Sequence, residues 1–470
     1  MAAAAGDDGE ASGERALQLL RAPGESLGRL SALVLRGAGL SVLPDSIGHC
    51  SQLVRLDVGG NQLQDLPAAL SSLPRLKILF ASGGQFQQVP PVLADCAALR
   101  MVGFNNNRLT ALECKRLPEG LEWLIAAGNQ IEALHDIGRL KHVRKLMLSH
   151  NRLTCAALAP AAGIEDLEMI RVAANQLEAF PAELLRHPRL SWVAVGGNPF
   201  AEACMERRLA SAPPSVDFAE IELGGRLGSG AGATVYTARW RGRDVAVKLW
   251  DGERFSDGTA RGEWAVNRVA GHPGHPSLVG VLGTFEEPRP GMVLEKIDGA
   301  VAAASPPAFD PWTVTRDVVP AQGGRGPSFT AEAALRIAQT VAQGCEYMHS
   351  RGLLHGDVYL HNTLVVPEGP RECSGLSDAR LSDFGAAAAV DDPALLALEV
   401  RSFGWMLQDL LELLAPPPSE AKAAEAAADV VSLLRHLRGR CARELPEELP
   451  TFADLAAALA AAPGEPKPAL

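Results

Sequence analysis

The chain has 470 residues, 47% of them apolar and 21% charged, with a formal net charge of −11. That length excludes a single small domain and allows large buried cores. The acidic balance argues against non-specific nucleic-acid binding and against docking to an anionic membrane surface. Arginine outnumbers lysine by 36 to 8, which reads as compositional drift. Eight cysteines are scattered without a Cys-x-x-Cys pair, which suits a reducing compartment and not a disulfide framework or zinc site.

The first residues turn acidic at once and lack basic and apolar leader regions, so residues 1–22 are expected to be a flexible acidic N-terminus. No uncharged apolar run approaches the roughly 18 residues of a membrane span, and a cytoplasmic location is expected. From residue 30 the pattern Leu-x-x-Leu-x-Leu-x-x-Asn-x-Leu recurs, starting at Leu30, Leu53, Leu76, Leu99, Leu121, Val143, Leu167 and Leu190, at intervals of 22 to 24 residues. The Leu-x-Leu alternation supplies one short parallel strand per coil, with its leucines facing a shared core. Asn61, Asn107, Asn129, Asn151, Asn175 and Asn198 share one register, where a buried amide can satisfy backbone groups of neighbouring coils. Ala38 and Gly84 interrupt that ladder, so the first and third coils are expected to be looser. The pattern resembles a leucine-rich-repeat solenoid of about eight repeats over residues 23–212. One strand position reads Arg55, Ile78, Met101, Trp123, Lys145, Met169 and Trp192, and period-2 geometry puts it opposite the core leucines, on the concave face. An exposed row of Trp and Met there is expected to bind a protein substrate or regulator.

After Asn198-Pro199 the period stops, and residues 211–215 read as a linker. Residues 213–462 form a second domain with a different vocabulary, followed by a tail at 463–470. Within it, 299–328 and 415–428 look poorly constrained. Leu227-Gly228-Ser229-Gly230-Ala231-Gly232-Ala233-Thr234-Val235 is a glycine-rich hairpin whose N–H groups can close over phosphates, with Val235 placed to roof a purine. Val245-Ala246-Val247-Lys248 follows, and Lys248 is one of three lysines between 218 and 462. A compact ammonium suits pairing with both a phosphate and a helix carboxylate, where arginine would not fit equivalently.

At this point the sequence resembles the protein-kinase family, and later motifs extend the resemblance in order. It implies that Leu227, Gly228, Gly230, Gly232, Val235 and Ala246 surround the nucleotide. Glu263, in the helical stretch 259–270, is then the partner of Lys248. Leu294-Glu295-Lys296-Ile297 is the hinge, in which the backbones of Glu295 and Ile297 bond adenine. His355-Gly356-Asp357 with Asn362 is the catalytic loop, and Leu381-Ser382-Asp383-Phe384-Gly385 the metal-binding motif. Glu399 to Gly404 is the start of the central helix of the large lobe. The implied cofactors are ATP and Mg²⁺, with Asp357, Lys248 and Glu263 as the catalytic set and Asn362 and Asp383 as metal ligands. The expected fold class is multidomain: an α/β leucine-rich-repeat solenoid followed by an α+β bilobal protein-kinase-like fold.

Four departures accompany the resemblance. The third loop glycine is Ala233, the arginine before the catalytic aspartate is Gly356, and the lysine two residues beyond it is Tyr359, with His361 nearby. Only thirteen residues, 386–398, separate Asp-Phe-Gly from the central helix, so the Ala-Pro-Glu segment is missing, together with its arginine partner ahead of Pro450. Three readings follow. The first is a kinase acting on protein Ser/Thr with the repeats as a binding or regulatory module; the second is an ATP-binding pseudokinase scaffold. The third is a small-molecule kinase of the aminoglycoside or choline-phosphotransferase type, which shares the His-Gly-Asp loop.

Overall fold

Three-residue strands recur once per sequence repeat in the computed structural model of the chain: Glu10–Ser12, Ala32–Val34, Arg55–Asp57, Ile78–Phe80, Met101–Gly103, Trp123–Ile125, Lys145–Met147 and Met169–Arg171. The structure describes residues 10–21, 25–209, 216–229, 232–255, 257–271, 274–305, 328–368, 372–443 and 445–462. The chain divides into two compact units, residues 1–184 and 185–470.

In the first unit the eight strands pair in parallel and in chain order. Their central residues Leu33, Leu56, Leu79, Val102, Leu124, Leu146 and Ile170 form one register column, each fully buried. Short 3₁₀ turns such as Ala68–Ser72 and Pro91–Asp95 return the chain. The asparagine ladder holds these coils together. Asn129 donates through Nδ2 to Phe104 O at 2.9 Å and Ala126 O at 3.0 Å, and its Oδ1 accepts from Leu109 N at 3.0 Å. Asn61, Asn107 and Asn151 repeat that three-way bonding. Each amide thereby satisfies buried groups that would otherwise cost about 1–3 kcal/mol apiece.

Several expectations need correction. Gly84 does not loosen its coil: a Cβ there would lie 3.0 Å from the Phe86 ring, which fills the space edge-on to Phe104. Residues 10–21 are not a flexible arm, since Glu10–Ser12 pairs with Ala32–Val34 and the helix Gly13–Arg21 buries Ala16 and Leu20; residues 1–9 lie outside the described residues. The Trp and Met row is not exposed. Ile78, Met101 and Trp123 pack laterally with Ile125 and Met147 in one buried cluster, and the Trp123 indole lies against Met147 Sδ and under Lys145 Nζ. Trp123→Ala is therefore expected to destabilise this unit by about 3–5 kcal/mol, read as a large loss in thermal midpoint. An unchanged midpoint would return Trp123 to the surface.

The second compact unit starts at Leu185. It contains the strand Trp192–Ala194 and the helix Pro199–Arg208, while the linker read at 211–215 lies outside the described residues. A five-stranded antiparallel sheet follows in the order Ile221–Ser229, Ala233–Trp240, Arg243–Trp250, Gly291–Glu295, Val281–Phe285, with the helix Ala260–Ala270. The remainder is mainly helical: Ala331–Ser350, Pro393–Glu412, Ala421–Arg440 and Phe452–Ala460 surround a core that includes Ile337, Val341, Phe403 and Leu434. Residues 421–428, expected to be loosely constrained, are helical because alanine and glutamate are strong helix formers and Leu434 and Leu437 anchor the same helix. Of the segment 299–328, residues 306–327 lie outside the described residues, as does the tail at 463–470. Among the described residues no helix is long and apolar enough to cross a membrane. Burial pushes the Cys114 and Cys441 thiols up to about 12, so they serve as small apolar residues.

Candidate active site

The strand Arg243–Trp250 carries Lys248 between Val235 on one neighbour and Met292 on the other. Thr259 caps the helix Ala260–Ala270 through its side chain, which fixes the first turn and turns Glu263 inward, 4% exposed. Lys248 Nζ donates to Glu263 Oε1, and Trp250 Nε1 donates to Glu263 Oε2 at 2.8 Å. Asp383 Oδ1 stands 4.0 Å from the same ammonium. Burial alone would lower the Lys248 pKa, but Glu263 and then Asp383 outweigh it and raise it above the ordinary lysine value. Lys248 is thus a held cation between two carboxylates.

The glycine-rich hairpin is the turn between Ile221–Ser229 and Ala233–Trp240, with Gly228 paired to Val235. Leu227 is 55% exposed and Ala246 is buried opposite Leu294. Gly230 lies outside the described residues. Gly232 has no room for a side chain, because a Cβ would come within 2.8 Å of Phe255. Glu295 closes its strand and donates its N–H to Gly280 O at 2.8 Å; Ile297 O accepts from Ala300 N in the turn that follows.

On the helical side, Asn362 Nδ2 donates to Asp357 O at 2.8 Å and to Asp357 Oδ2 at 2.9 Å. Ser382 donates both its N–H and its hydroxyl to Asn362 O at 2.8 Å, which brings the neighbour of Asp383 to the loop that carries Asp357. His355 reinforces the junction, its Nε2 lying 3.1 Å from Ser382 O and its ring 5.3 Å from Phe384. Asp383 sits at φ +60 with its side chain 57% exposed, a conformation costly for a non-glycine residue and concentrated at functional sites. Carboxylate and amide oxygens from Asp383 and Asn362 are the hard donor chemistry that Mg²⁺ takes, alongside waters and phosphate oxygens.

Two positions escaped sequence reasoning. Glu399, taken for the start of the central helix, lies in the second turn of Pro393–Glu412 and anchors the loop that carries Asp357. Its Oε1 accepts from Gly356 N at 2.6 Å and its Oε2 from His355 N at 3.2 Å, with His349 Nε2 at 2.8 Å. Tyr359 is 4% exposed and stacked on Trp192, so its ring serves packing, and the His361 ring stacks against it at 4.8 Å. No spacing in the sequence announces either contact; the only signal is the departure at Tyr359 itself.

Residues 221–433 match the family model described as the protein kinase domain. Among curated relatives, serine/threonine-protein kinase PknB of Mycobacterium leprae is 27% identical over 227 residues, covering 45% of this chain and 30% of that protein. Serine/threonine-protein kinase mos of Xenopus laevis is 27% identical over 237 residues, 49% of this chain and 60% of that protein. Human mitogen-activated protein kinase kinase kinase 7 is 27% identical over 201 residues, 42% of this chain and 28% of that protein. The chain thus spans less than two thirds of the length of each relative.

Proposed function

We propose that this chain is an ATP-dependent protein serine/threonine kinase. The observation that carries the reading is the assembled Lys248–Glu263 pair with Asp383 4.0 Å from the same ammonium. Lys248 presents a fixed positive charge to the α- and β-phosphates of ATP, while Glu263, braced by Trp250, keeps it from swinging away. The hairpin at Leu227, Gly228 and Gly232 covers the phosphates, and Val235 and Ala246 flank the purine, with the backbones of Glu295 and Ile297 along its edge. Asp357 orients the acceptor hydroxyl and takes its proton; the hydroxyl oxygen bonds to the γ-phosphorus as the bond to the β-bridging oxygen breaks and ADP leaves. When bound, Mg²⁺ supplies charge neutralisation at the β- and γ-phosphate oxygens, held by Asn362 and Asp383. The Ser/Thr preference rests on the relatives.

The test is transfer of labelled γ-phosphate by the full chain to itself and to a generic Ser/Thr acceptor, with and without Mg²⁺. Metal-dependent phosphoserine or phosphothreonine supports the reading. Nucleotide binding without transfer would make the chain a pseudokinase scaffold, and transfer only to amino sugars or choline would make it a small-molecule kinase.

We further infer that the repeats form a leucine-rich-repeat module that engages the protein substrate or a regulator, supported by the period and the asparagine ladder. A partner-binding module predicts a lower KM, at equal kcat, for a protein acceptor than for a short peptide carrying the same site; equal KM values count against it.

Activation by phosphorylation within 386–398 is not expected, since that stretch has no Ser, Thr or Tyr. Within it, Asp391 is paired with Arg207 and, at 2.6 Å, with Arg208. Arg208 first, then Cys204 and Arg207, hold its carboxyl down to about 2. A depressed carboxylate pKa means the pair is complete above the ordinary carboxylate range and lost only as pH falls through about 2. Its negative charge is therefore permanent at neutral pH, the role a phosphate would otherwise take. Phosphatase treatment should leave activity unchanged, and a loss traced to this segment would contradict the sequence itself.

A further inference from the structure

We propose that residues 185–209 are a built-in brace of the catalytic loop, with Trp192 and Arg208 as positioning residues for Asp357. The inference rests on the kinase reading of Asp357. Trp192, 2% exposed, lies parallel to Tyr359 with ring centroids 5.0 Å apart and planes 5° off, and its Nε1–H donates to Val358 O at 3.3 Å. Val358 and Tyr359 are the two residues directly after Asp357. On the other side of Asp357, Gly356 has φ +80, and a Cβ there would lie 2.9 Å from Val193 O and 2.6 Å from Ala386 O. The strand that carries Trp192 thus occupies the space of a side chain at 356. The missing arginine and the braced loop are one coupled feature.

Arg208 grips the same region from the helix Pro199–Arg208. Its Nε donates to Arg351 O at 2.7 Å, and its Nη2 donates to Val390 O at 3.3 Å and to Asp391 Oδ1 at 2.6 Å. Those residues flank the paired strands Leu353–Leu354 and Ala388–Ala389, so one guanidinium ties the entry of the catalytic loop to the shortened segment after Asp-Phe-Gly. The brace is seated in turn by Arg401, 4% exposed on the central helix, whose Nη1 donates to His187 O at 2.7 Å and Leu190 O at 2.9 Å. Donors in this fork geometry hold carbonyls in a fixed relation, which a lysine at either position would not reproduce. The brace contacts the segments on both sides of Asp357, so it sets the carboxylate's position relative to the γ-phosphate without touching the nucleotide.

The test uses the full chain with Trp192→Ala, Trp192→Phe and Arg208→Met, measuring kcat and KM for ATP together with hydrogen exchange of the amides at 353–360. A displaced catalytic group lowers kcat by about 10- to 100-fold. The KM for ATP should stay close to that of wild type, because Lys248 and Glu263 are untouched. Trp192→Phe keeps the stacking and loses the Val358 bond, so it should fall between Trp192→Ala and wild type. Faster exchange at 353–360 accompanies each loss. Unchanged kcat and unchanged exchange in the folded variants overturn the proposal. If Trp192→Ala fails to fold, Trp192→Phe and Arg208→Met decide by the same two readouts. If wild type itself transfers no phosphate, the kinase reading fails, and exchange at 353–360 alone decides whether the brace exists.

Discussion

Asp383→Ala is expected to abolish phosphoryl transfer at a small cost in thermal midpoint, and Lys248→Met to abolish it at a larger one. The difference follows from burial. The Asp383 side chain is 57% exposed, so its removal costs about 1 kcal/mol of stability, chiefly because alanine tolerates φ +60 less well than aspartate. Lys248 is mostly enclosed and is the ion-pair partner of Glu263, which is 4% exposed. Its replacement leaves that buried carboxylate without its cation, with Trp250 Nε1 as a remaining donor. Both substitutions remove charge stabilisation at the phosphates, where a single preorganised group is worth about 10²- to 10³-fold in rate. Because the Lys248 pKa is raised, its contribution is complete below the ordinary lysine value and is lost only as pH rises through the raised one. Activity should therefore not titrate through Lys248 anywhere near neutrality. Wild-type turnover by Asp383→Ala would remove the metal assignment; wild-type turnover by Lys248→Met would move the phosphate site elsewhere.

Glu399→Ala should lose both stability and activity. Glu399 is 2% exposed and receives Gly356 N–H, His355 N–H and the His349 ring. Burial disfavours its charge, but the His349 bond and charge, His355 and the Gly356 N–H together lower its pKa below the ordinary glutamate value. Alanine strands all three donors, a loss of about 3–5 kcal/mol for a buried pair and a fall in thermal midpoint on the order of 10 °C. The lowered pKa gives the sign with pH: the contribution is present above the ordinary glutamate value and lost as pH falls through the folded one. In the folded fraction kcat should drop at least about tenfold, since Gly356 adjoins Asp357 and misplacement at that scale has such an effect. Glu399→Gln keeps an acceptor and should retain more of both quantities. Differential scanning calorimetry with turnover per folded molecule reads the outcome, and wild-type values for Glu399→Ala would show that the catalytic loop is anchored elsewhere.

How much of this was legible in the residues alone depends on how local the cause is. The strand of each repeat follows from Leu-x-Leu alternation, because period-2 chemistry acts within three residues. The asparagine register is readable for the same reason, each amide bonding carbonyls three residues behind and one coil away. Lys248, Asp357, Asn362 and Asp383 stand out in the sequence because few side chains could do the chemistry proposed for them. The burial of Trp123 was not, since alternation says which side of a strand a residue takes and nothing of whether neighbouring coils close over it. Nor did the acidic start announce that Glu10–Ser12 would find an unpaired strand edge to join.

The sequence by itself determined the repeat period, the order of the phosphate-binding and catalytic motifs, and the absence of an acceptor hydroxyl between 386 and 398. Only the tertiary structure decided that the coil containing Trp192 belongs with the second unit and that Gly356 is a requirement of close approach. It also decided that Asp391 has its cations on the helix Pro199–Arg208. Trp192 and Val358 are 166 residues apart, and Arg208 and Asp391 are 183. A contact across that separation leaves no periodic trace in the chain, because it is made by packing two surfaces whose local patterns are each complete without the other.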